Sequence, residues 1–78
     1  MATDIKIHIG QTIRQRLDDK QRKVAWLARE INYDNSNLHK LLKQKHIYPD
    51  LLYKISIAME EDFFALYSQQ IAETLKNG

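Results

Sequence analysis

Apolar residues recur along this chain at helical spacing in five successive stretches. Val24, Leu27, Ala28 and Ile31 fall on one face of a short helix. Asn32 follows that face, and asparagine is the non-glycine residue that most readily takes the left-handed backbone of a helix stop. Asp34 then offers an oxygen to the first amides of a second short helix, whose buried stripe is Leu38, Leu41 and Leu42. Upstream, Ile9, Ile13 and Leu17 predict a helix over Ile9 to Lys20, with Arg14 and Arg16 outward. Downstream, Pro49 suits a first helical turn, where its missing N–H is not needed, and Leu51, Leu52, Ile55 and Met59 give the inner face of a fourth helix. Glu60-Glu61-Asp62 interrupts the pattern. Asp62 can cap a fifth helix, and acids suit its positive end. Phe63, Phe64, Tyr67, Ile71 and Leu75 continue at helical spacing to near the end, the three aromatics being read as core. Residues 1–4 fit no pattern and are expected to fray. Ile5, Ile7 and Ile9 alternate with Lys6 and His8, so this segment either pairs with its own copy in a dimer or leads into the first helix. The lead-in is the preferred reading.

Composition narrows the class. Seventy-eight residues without cysteine make one small domain that folds without disulfides or a thiolate metal site. Two glycines and one proline leave little room for loops. No apolar run reaches the roughly 18 residues of a membrane span, and no signal-peptide pattern is read at the start. The expectation is a cytoplasmic all-α protein with no membrane partner.

Charge adds direction. Residues 1–49 carry ten Lys/Arg against five acids, whereas residues 50–78 carry two Lys against five acids. A basic front and an acidic back suit a domain with one face to phosphate and another to something else. The second short helix of the central pair holds amides, a hydroxyl, a histidine and a lysine on its free sides, and no acid. Two short helices at a steep angle, the second polar and basic, suit the major groove of double-stranded DNA. Asn can pair with adenine and Lys can donate to guanine.

The order of these elements resembles the lambda-repressor-like (Cro/repressor, XRE-like) helix-turn-helix family from about Ile9 to Leu66. Leu27-Ala28, three residues, a turn residue and a capped second helix carry the resemblance, with Pro49-Asp50-Leu51-Leu52 and Ile55-Ser56 matching the family's fourth helix. Three departures stand out. Asn32 replaces the family's usual glycine, and Val24 stands where a glutamine is common, with Lys23 one residue earlier as a substitute phosphate contact. Leu17 and Leu42 occupy positions where the family often pairs Arg with Glu; exchanging a buried ion pair for an apolar contact is often neutral or stabilising by roughly 1–4 kcal/mol.

The resemblance implies a compact five-helix fold, all-α, with an arm over 1–8 and a single DNA-binding domain over 9–78. It assigns base reading to Asn35, Ser36, His39 and Lys40. Asn37 falls at the phosphate edge, and Lys23, Lys43 and Lys45 would grip phosphate beside the start of the first central helix. Ile71 and Leu75 have little left to cover in so small a domain and are assigned to a symmetric dimer contact, which would pair inverted half-sites.

Trp26 lies off the apolar stripe and reads as core-edge. Tyr33, in the turn, either packs or stacks over sugar-phosphate. His39 and His46 lack a third partner for a metal, and no cofactor or small-molecule site is read. No nucleophile–base constellation or phosphate loop points to an enzyme. The leading expectation is a dimeric, sequence-specific transcriptional regulator. The alternative is a protein-interaction module of the same fold, an antitoxin-like partner, resting on the acidic, aromatic back half.

Overall fold

The computed structural model describes residues 4–77 as five helices: α1 (Ile9–Asp19), α2 (Val24–Glu30), α3 (Asn35–Leu41), α4 (Pro49–Met59) and α5 (Phe64–Asn77). Among the described residues there is no strand, and no helix is long and apolar enough to cross a membrane. Residues 1–3, part of the segment expected to fray, lie outside the described residues.

One core joins the first four helices to the start of the fifth. Ile9, Ile13 and Leu17 of α1, Leu27 and Ala28 of α2, Leu38 of α3, and Leu51, Leu52, Ile55 and Met59 of α4 are buried together with Ile31, Leu42, Ile47 and Phe63. Leu17 and Leu42 both belong to this core. Ser56 is its buried polar residue, and its hydroxyl accepts the Phe63 N–H at 3.4 Å. Two aromatic expectations need adjustment. Phe64 is 37% exposed and so is not core, because α5 begins at Phe64, directly after the buried Phe63, and successive side chains there point different ways. Tyr67 is only partly buried against the core, and burial raises its phenol pKa above the ordinary value. Leu41 is likewise half-buried rather than part of a fully buried stripe.

Three helices end in the same way, each on a non-glycine residue with left-handed backbone: Gln21 (φ 57°), Asn32 (φ 53°) and Glu60 (φ 53°). At each end two amides fold back onto the last turn. Arg22 N–H donates to Leu17 O at 2.8 Å, Tyr33 N–H to Ala28 O at 2.8 Å, and Glu61 N–H to Ser56 O at 3.0 Å. These bonds satisfy carbonyls that the helix itself leaves free. They reverse the chain within a few residues, which is how so few glycines suffice.

α1 sits close over the end of α3. A Cβ on Gly10 would press into the carbonyls of Leu42 and Gln44 and lie 2.8 Å from the Leu42 carbonyl carbon. The neighbouring Ile9 N–H donates to Lys45 O at 3.0 Å. Only a residue without a side chain allows this approach, and it pins the connection after α3 to α1.

Residues 4–8 run into α1 rather than forming a strand. The Gln70 amide of α5 clamps this arm from the side: its Oε1 accepts Lys6 N–H at 3.0 Å, and its Nε2 donates to Asp4 O at 3.0 Å. Asp4, expected to fray, is therefore tied down through its carbonyl. α5 itself buries no residue. The radius of gyration, 13.4 Å, exceeds the roughly 11.5 Å of a spherical domain of this length. The 41 Å long axis fits a 14-residue α5 that, among the described residues, buries no side chain fully.

Candidate nucleic-acid interface

The α2–α3 pair presents the surface the sequence singled out. α2 packs on both α3 and α4, and the connection between α2 and α3 spans only residues 31–34. The Asp34 carboxylate accepts the Asn37 N–H at 2.9 Å, so the one acid near the start of α3 is used as its cap. Leu38 is fully buried and fixes which side of α3 faces inward. With about 3.6 residues per turn, Ser36 and Lys40 then lie on the opposite side, flanked by Asn37 on one edge and His39 on the other. Asn35, Ser36, Asn37 and Lys40 are exposed, and His39 is half-buried.

His39 reaches the α1–α2 turn. A depression there is lined by His39, Arg14, Arg22, Lys23 and Asp18 together with Leu17 and Val24. Three cations thus converge on one edge of α3, and only Lys23 of them was assigned a phosphate role from the sequence. Arg14 and Arg22 were legible as charges but not as neighbours, because the left-handed turn at Gln21 is what brings them round. Arg22 also lies 4.9 Å from the ring centroid of Trp26, a cation–π contact, and Trp26 itself is partly buried at the edge of the core. Tyr33 is partly buried against the core, the packing role of its two readings.

Lys43 and Lys45 are exposed in the connection after α3. They are held in place by backbone bonds from Lys43 N–H to Lys40 O at 3.2 Å and from Ile9 N–H to Lys45 O at 3.0 Å. Arg14, Arg22 and Lys23 thus line one edge of α3 with His39, and Lys43 and Lys45 follow its C-terminal end. Arg16 is placed differently. Its Nε donates to the Glu61 carboxylate at 2.6 Å, and that bond, with the Coulomb attraction behind it, raises its pKa further. Read from the sequence as simply outward, it is a tie between α1 and the connection from α4 to α5.

Ile71 and Leu75 are elsewhere. With Ile5, Tyr67, Gln70 and Thr74 they line a cleft of about 200 Å³ between the arm and α5, and they stand 58% and 77% exposed. Among the described residues no group of three or more His, Asp or Glu is placed to hold a metal.

Comparison with known proteins returns no match among family models, curated proteins or solved structures. The functional reading therefore rests on the residues themselves.

Proposed function

We propose that this chain is a sequence-specific, double-stranded-DNA-binding transcriptional regulator that works as a homodimer in the cytoplasm and has no enzymatic activity. The observation that carries the reading is the free face of α3: a buried Leu38 turns Ser36 and Lys40 outward, Asn35, Ser36, Asn37 and Lys40 are exposed, Arg14, Arg22 and Lys23 line the His39 edge, and Lys43 and Lys45 are exposed just after the helix. In this reading α2 and α3 form a helix-turn-helix, and α3 enters the major groove. Asn35, Ser36, His39 and Lys40 meet base edges, while Lys23, Asn37, Lys43 and Lys45 hold phosphate. Arg14 and Arg22 join the phosphate set. The resemblance to the lambda-repressor-like family, in the order of helices and the capped turn, supports the same arrangement.

One module touches only a few base pairs. Pairing two modules through Ile71 and Leu75 reads two half-sites and removes two exposed apolar side chains per copy from water. Bound over a promoter the dimer represses by exclusion; bound upstream it can activate.

Selection from a random duplex library at near-physiological salt tests the proposal. Enrichment of an inverted repeat with half-site centres about one helical turn apart supports it. Recovery of no preferred sequence refutes it. Sedimentation of the Leu75→Lys variant tests the dimer contact, which requires a shift to monomer.

A further inference from the structure

We infer that the corner between α4 and α5 is a docking face for a basic, apolar-bearing segment of another protein, separate from the proposed DNA surface. Tyr53 and Ile57 stand one turn apart on the outer side of α4, 61% and 62% exposed, with Phe64 of α5 beside them. They form a ridge between two shallow grooves. Glu60, Glu61 and Asp62 rim the groove on the Phe64 side. Glu30, Glu60 and Lys54 rim the other, which reaches Asn32 at the end of α2. Glu61 is engaged by Arg16, whereas among the described residues Glu30 and Glu60 form no ion pair. The rim thus keeps Glu30 and Glu60 against Lys54, with Asp62 beside them held as the α5 cap by the Phe64 and Ala65 amides.

Charge selects the occupant. Phosphate is repelled by this rim, so the face is not an extension of the α3 surface. A second copy docking by two-fold symmetry would set Glu30 and Glu60 near their own copies, which opposes an isologous contact. A segment with apolar anchors at helical spacing, flanked by Arg or Lys, satisfies the ridge and the rim together. Its cations also gain the aromatic faces of Tyr53 and Phe64. A small face of this kind suits a transient contact, the kind a DNA-bound regulator makes with machinery beside it.

The test uses the full ¹⁵N-labelled chain titrated with three synthetic peptides of one helical pattern, built from leucine and arginine, leucine and glutamate, or serine and arginine. The leucine–arginine peptide is expected to shift the amides of Tyr53, Ile57 and Phe64 and to leave those of α3 unmoved. Ile57→Ser, and separately Glu30→Lys with Glu60→Lys, are expected to weaken it by about tenfold or more without altering duplex-DNA binding. Equal binding of the leucine–glutamate peptide, absence of shifts at these amides, or dissociation of the free protein's dimer by Ile57→Ser would overturn the inference. The last outcome would assign the face to a second copy.

Discussion

Replacing Gly10 by alanine sets two effects of opposite sign against each other. Helix propensity favours the change, since alanine is better than glycine inside a helix by about 1 kcal/mol. Packing opposes it. The new Cβ would meet two backbone carbonyls, Leu42 O and Gln44 O, well inside van der Waals contact, and would lie 2.8 Å from the Leu42 carbonyl carbon. Ordinary carbon contacts begin near 3.5 Å, so α1 must withdraw by roughly 1 Å. The obstacle is backbone at the end of α3, not a side chain that can swing away. Overpacking of this kind costs about 1–3 kcal/mol, occasionally more. Withdrawal also stretches the Ile9 N–H to Lys45 O bond, now 3.0 Å, worth about 1 kcal/mol. The net expectation is a loss of about 2 kcal/mol. In a domain of this size each kcal/mol moves Tm by about 4–8 °C, so thermal unfolding followed by circular dichroism should show a drop of about 10 °C. Propensity alone would raise Tm by about 5 °C. An unchanged or raised Tm would refute the claim that α1 and the end of α3 are in backbone contact through Gly10.

Three further outcomes are expected. Glu60→Gly relieves a left-handed residue costing about 1–2 kcal/mol and adds unfolded-state entropy of about 0.4–1 kcal/mol, so urea unfolding should show a gain of about 0.5–1 kcal/mol; a loss would mean that the Glu60 side chain matters more than its backbone. Burial raises the Tyr67 pKa, so the folded state holds that proton more tightly than the unfolded chain. Its contribution is complete below the unfolded value of about 10 and is lost as pH rises toward the folded value. Tyr67→Phe should therefore blunt the alkaline fall in stability, and an identical pH profile would contradict this. Lys40→Ala should relax base preference at one position by about 1–3 kcal/mol, whereas Lys43→Ala should weaken all sequences alike and lower the salt slope by about 1. Interchanged behaviour in anisotropy titrations would reverse the assignment of base and phosphate roles.

What was legible in the sequence was local. Asn32 as a left-handed stop, Asp34 as a cap and the inner stripes of α1 and α4 depend on neighbours within a turn or two, and each appears as expected. Asp62 also caps α5, accepting from Phe64 N–H at 3.0 Å and Ala65 N–H at 3.2 Å. What escaped depends on chain segments brought together by folding. Arg16 finds Glu61, 45 positions away, and Gln70 finds the arm, 64 positions from Lys6. Gly10 stands inside an apolar helical pattern, where a glycine lowers helix propensity but does not name the carbonyls of Leu42 and Gln44 that require it. The left-handed turns at Gln21 and Glu60 had no such signal, because neither residue type favours that backbone. For the candidate interface, the residue types on α3 were readable. That His39 shares a depression with Arg14, Arg22 and Lys23 was not, since it follows from how α1 turns into α2.

The central claim is that α3 and its basic flanks meet DNA. The most direct measurement is amide and side-chain shift mapping of the full chain with a duplex DNA. The account predicts perturbation centred on Asn35, Ser36, His39 and Lys40, extending to Lys23, Lys43 and Lys45, with Tyr53, Ile57 and Phe64 unmoved. Perturbation centred on α4 and α5, or none at DNA concentrations that saturate nonspecific binding, would contradict it.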